Sequence, residues 1–267
     1  MPVSPRGRGE RHADRLPGIR DLAIQFVGVD PVEQMIPIQP GQHYSMGGIA
    51  TDNEGQSPLQ GFFAAGECAC VSVHGANRLG GNSLLDTIVF GRLAGEKAAE
   101  YVSSGQLPRN GAWVLERALA EAQQQIERAF GHASSENYAD IRDELNAVMT
   151  EKVGVYRERR LMAEAVEKIT ELKERYATAG VTYSGNTFNM SLLRYLELRS
   201  MLDLAEIIAR GALAREESRG SHYRLDFPAR DDANWLKHTL ASYTPEGPRF
   251  DFKPVVITKF QPEARKY

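Results

Sequence analysis

The sequence predicts an α+β fold: a glycine-rich strand–loop–helix segment, then an antiparallel helical bundle, then a small β tail. Three observations predict it. Leu59-Gln60-Gly61-Phe62-Phe63-Ala64-Ala65 is short, apolar and bounded by glycine, which suits a buried strand, and it runs into a glycine-rich turn. From Trp113 to Arg215 apolar residues recur at the helical period through several long stretches. After Trp235, two short runs, Thr239 to Tyr243 and Val255 to Lys259, flank Gly247-Pro248 and read as a hairpin.

Met1 to Asp14 is basic and rich in proline and glycine, the composition of a disordered start. Gly7-Arg8-Gly9-Glu10 is not a dinucleotide motif, because no strand precedes it and the third glycine is absent. Leu16 to Val27 reads as a short helix with Leu16, Ile19 and Phe26 on one face. Met35 to Ile38 is a strand candidate, demoted to an edge or bend by Pro37.

The stretch from His43 to Asp86 carries the chemistry. The predicted strand ends in Gly66-Glu67, a carboxylate at the end of the strand where ligands of α/β folds gather. His74 precedes a glycine and reads as a loop-fixing residue. Leu85 to Tyr101 is the next helix, with Asn82 or Ser83 as its N-cap. The open amides and positive dipole end of that helix suit negative charge, and Gly80 and Gly81 allow close approach to the backbone. Just upstream, the Arg78 guanidinium can grip a carboxylate by two parallel bonds. Two anion sites, one of backbone and one of side chain, therefore lie a few residues apart.

Beyond Gly105, Pro108-Arg109-Asn110-Gly111 reads as a linker. Trp113 to Phe130 is helical by composition. Ser134 or Ser135 caps the following helix, whose apolar face includes Tyr138, Ile141, Leu145 and Val148. Gly154 breaks or kinks it, and a long helix continues to about Ala177. Met190 to Arg215, apolar on most sides, is the central helix. Arg157-Glu158-Arg159-Arg160 reads as a solvated helix face. Arg219 and His222 are left outside the candidate site.

The chain has 267 residues, 42% hydrophobic and 25% charged, so a packed core is expected. Its net charge of -3 argues against nucleic acid as a partner. Cys68 and Cys70 are the only cysteines, too few for a zinc or iron–sulfur site, and no metal site is expected. There is no run of about 18 apolar residues that would cross a membrane, and no signal-peptide pattern.

The motifs HYSMGGI, GFFAAGE and HGANRLGGNSLLD, in that order, resemble the flavoprotein subunit of succinate dehydrogenase and fumarate reductase. L-aspartate oxidase carries similar motifs. The resemblance extends from about Arg15 onward. It includes Asp231-Asp232-Ala233-Asn234-Trp235-Leu236-Lys237-His238-Thr239 and Lys253-Pro254-Val255, which point to the succinate/fumarate branch.

The resemblance implies FAD as cofactor, with Glu67, Asn82, Ser83 and Leu84 binding it. It implies that His43 and Arg78 hold a dicarboxylate, succinate or fumarate, so that a hydride can pass between substrate and flavin. It also implies an iron–sulfur subunit as partner and a peripheral place on the inner, cytoplasmic side of the cytoplasmic membrane. On this reading the segments are the end of a capping region (15–42), the C-terminal part of an FAD-binding α/β domain (43–107), the bundle (108–234) and the β tail (235–267).

The family's ADP-binding strand–glycine–helix unit and its proton-transferring arginine have no counterpart in these residues. The expectation is therefore roughly the C-terminal half of a subunit, inactive by itself, with no catalytic residue assigned and a separately encoded N-terminal half as one possible partner. A non-catalytic docking module and an L-aspartate oxidase-like enzyme are the alternatives.

Overall fold

The computed structural model describes residues 16–38, 41–105, 111–131, 136–185 and 187–262. It divides into two compact units, residues 1–43 and residues 44–267. The basic start, the centre of the 108–111 linker and the proposed caps Ser134 and Ser135 lie outside the described residues.

In the first unit, α1 spans Pro17–Val27, where a helix was expected. Proline opens it, since a first-turn residue needs no amide donor. Gly28 closes it in the left-handed region (φ 70°), its N–H reaching the carbonyls of Ala23 and Ile24. Arg20 forks onto Asp30 at 2.6–3.2 Å and ties the helix to the chain that leaves it. Met35 to Ile38 form no strand, which corrects that expectation.

The second unit starts with a two-residue parallel pair, β1 (Ile49–Ala50) and β2 (Ala69–Cys70). The expected strand from Leu59 to Ala65 is not there. Gly55, Gly61 and Gly66 all adopt positive φ, and the chain turns on them. The Ser57 hydroxyl accepts from the Leu59 amide within the turn, and a single bridge joins Gln56 to Phe63. Leu59 and Phe62 face solvent. A short apolar run bounded by glycines satisfied the strand pattern, but left-handed glycines override it.

Next comes α2, Asn82–Ser103, which starts three residues earlier than predicted. The bundle follows: α3 (Ala112–Gly131), α4 (Tyr138–Lys152), α5 (Arg159–Tyr176) and α6 (Met190–Ala214). Asn137 caps α4 through the Ala139 amide, and Asn189 caps α6 through the Leu192 amide. The core is the shared apolar face of these helices, including Ile141, Leu145, Ile169, Leu172, Leu198 and Leu202, all essentially fully buried. Full burial of each such side chain stabilises by about 1.5–3 kcal/mol. No helix among the described residues is long and apolar enough to cross a membrane.

Gly154 breaks the helical run as expected, and β3 (Tyr156–Arg157) pairs in parallel with β4 (Tyr223–Arg224). Arg157 therefore does not belong to a solvated helix face. It lies in β3 and donates to the carbonyls of Val153 and Gly154 and to His222 Nδ1 (2.8 Å). Arg159 and Arg160 do lie on the exposed face of α5, where they pair with Glu216 and Glu164.

After the short helix α7 (Asp232–Trp235), the tail is an antiparallel hairpin of β5 (Lys237–Ser242) and β6 (Arg249–Pro254) around Gly247. The second strand precedes the predicted Val255 to Lys259. Register explains the difference: pairing Ser242 with Arg249 across the turn uses up the partners of β5 by Pro254.

Arg224 locks the end of the central helix. Fully buried, it donates to the carbonyls of Ala212, Leu213 and Arg215 and forks onto Asp226 at 2.7 Å. The Ala212 and Leu213 carbonyls belong to the last turn of the helix, where no intrahelical amide reaches them. Hydrogen bonding from Arg224 holds the Asp226 carboxyl down at about 2. Arg224→Met is expected to cost about 1–3 kcal/mol, because the helix-end carbonyls that Arg224 satisfies lose a buried donor; urea unfolding at neutral pH measures it. A folded pKa below the ordinary one gives stability that is present above 3.8 and is lost as pH falls toward about 2. The wild-type advantage over the variant therefore shrinks across that window.

Candidate functional site

The glycine-rich loop between β2 and α2 is held from two sides. Ser72, a non-glycine residue at φ 74°, lies 3.0 Å from His238 Nε2 of β5 through its hydroxyl. The Ala76 carbonyl accepts from both the amide and the hydroxyl of Ser221, each at 3.0 Å. Gly220, at φ 59°, passes so close to Ala76 that a Cβ there would collide with the carbonyl. The turn that carries Ser221 is itself rigid. His222 Nε2 donates to the Arg215 carbonyl, and burial together with the Arg157 charge pushes its imidazole down to about 4. Arg219 pairs with buried Glu217 and with Asp232. Arg219 and His222 thus serve the loop's foundation.

At the loop's far end a polar cluster forms on the side of α2. The Asp86 side chain is 3% exposed and that of His74 6%. Asp86 Oδ2 accepts from the Tyr44 hydroxyl at 2.9 Å and from His74 Nε2 at 3.0 Å. Asn82 Nδ2 donates to His74 Nδ1 at 3.1 Å and reaches the Val73 carbonyl at 3.5 Å. These partners assign the imidazole its proton at Nε2. The Tyr44 and His74 rings meet edge to face at 5.1 Å, and the Arg78 guanidinium carbon sits 5.1 Å from the Tyr44 ring centroid. Burial, then the Asp86 hydrogen bond, push the Tyr44 phenol up to about 12; the Glu67 charge pushes the same way and Arg78 opposes it.

The residues singled out from the sequence fall as follows. Glu67 stands in a 3-10 turn, Gly66–Cys68, directly before β2, not at the end of the predicted strand, and its Oε1 accepts from the Ser45 amide at 2.9 Å. Arg78 makes no ion pair among the described residues and donates only to its neighbour's carbonyl, that of Leu79, at 3.2 Å. Neither Asn82 nor Ser83 caps α2; the N-cap is Gly81 at φ 81°, with no side-chain bond to the first turn. Leu84 lies on that turn, 70% exposed. Glu67, Arg78 and Asn82 thus gather around Tyr44 and His74, with Ser83 and Leu84 beside them. His43 closes the other unit and is exposed.

Tyr44 and Asp86 escaped the sequence reading. The available signal was a carboxylate one residue after the Leu84-Leu85 pair in a helical run, a position that demands a partner when buried.

The donor set suits a flavin. Open space surrounds Gly80 and Gly81, the first turn of α2 carries neither a side-chain cap nor an acidic residue, and Glu67 supplies an acceptor nearby. Such a terminus favours partial negative charge.

Two measurements check this geometry. Subtracting the ultraviolet titration of Tyr44→Phe from that of wild type is expected to isolate a phenol ionising near pH 12, not near 10. Because the folded pKa is the higher one, the stability from this proton is complete below about pH 10 and fades as pH rises toward 12. Gly220→Ala, combining left-handed strain with collision at Ala76, is expected to destabilise by about 1–3 kcal/mol, read as a lower urea midpoint.

Comparison with known proteins extends these observations. Residues 142–267 match the family model described as fumarate reductase flavoprotein C-term, and residues 9–84 match the FAD binding domain. The latter agrees with FAD as the cofactor. The fumarate reductase flavoprotein subunit of Serratia sp. (strain ATCC 39006) is 46% identical over 257 residues, covering 95% of this chain and 43% of the relative. The succinate dehydrogenase flavoprotein subunit of Coxiella burnetii (strain RSA 493 / Nine Mile phase I) is 40% identical, covering 94% of this chain and 44% of the relative. A solved structure of E. coli quinol fumarate reductase FrdA, carrying one substitution, matches with a TM-score of 0.88 at 43% identity, covering 96% of this chain and 44% of that one. The chain therefore spans less than half the length of these proteins. Over nearly its whole length it is similar to part of the fumarate reductase and succinate dehydrogenase flavoprotein subunits.

Proposed function

We propose that this chain supplies the flavin-facing helix and part of the dicarboxylate grip of a succinate- or fumarate-converting flavoprotein. One observation carries the reading. An uncapped helix start, opened by Gly80-Gly81, follows closely on a guanidinium with no ion pair among the described residues. Such a segment offers backbone donors to one anion and a side-chain fork to another.

The amides of Ser83 and Leu84 would meet the electron-rich edge of the flavin ring, with the side chain of Asn82 held away by His74. Glu67 would accept a hydrogen bond from a hydroxyl of the cofactor. Arg78 would bind one carboxylate of the diacid and so help to fix its central C–C bond for reaction. When bound, FAD supplies the two-electron chemistry, exchanging a hydride with the substrate carbon while a proton leaves or joins the neighbouring carbon through a base.

The remaining parts of the proposal follow from the family. Electrons pass to an iron–sulfur subunit, and the complex lies on the inner face of the cytoplasmic membrane. The ADP half of FAD is held by an N-terminal segment, in the same polypeptide or separately encoded. Residues 43–107 complete the FAD-binding domain, and 108–234 with 235–267 form the bundle and tail that support it.

The test uses the intact flavoprotein that contains this chain. Its flavin absorbance is expected to bleach with succinate and to return with fumarate. Arg78→Gln is expected to retain the flavin and to lower kcat/KM for the dicarboxylate about 100-fold or more. A colourless protein, or a coloured Arg78→Gln variant with wild-type turnover, refutes the proposal.

A further inference from the structure

We propose that Tyr44 is a positioning residue for Arg78: its ring docks the guanidinium so that the donor fork is already aimed when a carboxylate arrives. The inference rests on the reading of Arg78 given above and adds the group that aims it.

Three observations carry it. The Arg78 guanidinium lies over the Tyr44 ring at 5.1 Å, a distance at which a cation is attracted to a π face. No carboxylate competes for it among the described residues, and its one hydrogen bond is to the Leu79 carbonyl. The ring beneath it is fixed. Its hydroxyl is tied to buried Asp86, and the His74 ring braces it edge-on. His74 is fixed in turn by Asp86 on one nitrogen and Asn82 on the other.

A flexible arginine gives up rotamer freedom when it grips a ligand. One already docked on a rigid ring has lost part of that freedom beforehand, and the difference shows as tighter binding in the ground state. The same attachment runs through Asp86 and Asn82 to the start of α2, so Arg78 and the helix tip share one frame. The phenol stays protonated well above neutral pH, so the frame does not alter across the working range.

The experiment compares Tyr44→Leu, which removes ring and hydroxyl, with Tyr44→Phe, which keeps the ring. The assembled, flavin-loaded flavoprotein is titrated with malonate, a dicarboxylate that is not turned over, and the Kd is read from the flavin absorbance. KM and kcat for succinate are measured alongside. Tyr44→Leu is expected to raise the malonate Kd and the succinate KM about tenfold with kcat little changed, and Tyr44→Phe to recover most of that loss. If Tyr44→Leu does not hold flavin, Tyr44→Gln, which keeps a polar group toward Asp86 without a ring, takes its place under the same criterion.

An unchanged Kd in the ringless variant, or equal losses in the Leu and Phe variants, overturns the inference. Arg78→Gln in the same titration separates the two levels. Wild-type malonate affinity there defeats the reading of Arg78 itself. Lost affinity there, with full affinity in the ringless Tyr44 variant, defeats only the positioning role.

Discussion

A carboxylate buried in the flank of a helix must find donors, because an isolated charge away from water costs several kcal/mol. Asp86 meets that demand with Tyr44 and His74, and the rest of the site follows. Donating from Nε2 leaves His74 with an acceptor at Nδ1, which takes the Asn82 amide. Asn82 stands at the first residue of α2 and is the residue type best suited to cap it. With its side chain committed to His74, the cap passes to Gly81 in a left-handed conformation, and the first-turn amides keep no side-chain partner. The open helix tip is thus a consequence of satisfying Asp86. A protein selected for helix stability alone would have capped α2 with a polar side chain, gaining a few tenths of a kcal/mol over the glycine.

The bundle was legible because its signal is long. About four to seven turns of a 3.6-residue pattern average out local exceptions, so α3 to α6 fall within a few residues of where periodicity puts them. Shorter elements had no such averaging. Leu59 to Ala65 has the composition of a strand, yet three glycines in left-handed conformations fold it into turns. In the tail, Val255 to Lys259 has the better β composition, but the turn at Gly247 sets the register and spends the pairing on Arg249 to Pro254. The arginine of β3 was misread for a similar reason: a charged residue next to other charged residues looks solvated, and only the chain's return near His222 buries it.

The candidate site was legible only through its order along the chain. Glu67, Arg78 and Asn82 stand in motifs that mark a family, and the structure gathers them around Tyr44 and His74. Asn82 plays a different part from the one its type suggests. Tyr44 and Asp86 are 42 positions apart, and nothing local announces that they meet. α2 also misleads a periodicity reading. Leu84, Leu85, Ile88 and Val89 are exposed, while Asp86 and Ala94 are its buried residues. Hydrophobic pattern predicts which face is covered only when the core decides the packing. In α2 the buried side is instead the one that carries Asp86 and Ala94.

The helical bundle has a part in this site although none of the candidate residues lies in it. Arg224 joins the end of α6 to β4, and Ser218 accepts from the Arg224 amide while donating to the Phe227 carbonyl. The same turn carries Ser221, whose two donors hold Ala76, and Ala76 lies two residues before Arg78. A continuous run of short, directional contacts therefore connects the packed core to the loop that presents the guanidinium. From the opposite side, His238 of the hairpin meets Ser72, which sits in a conformation that a non-glycine residue adopts only when its surroundings enforce it. Loops are ordinarily the least constrained parts of a domain. This one is bonded from the bundle side, from the tail and, through Asn82 and His74, from α2. A loop required only to connect β2 to α2 has no need of three attachments, whereas one that must present Arg78 and the tip of α2 at fixed positions does.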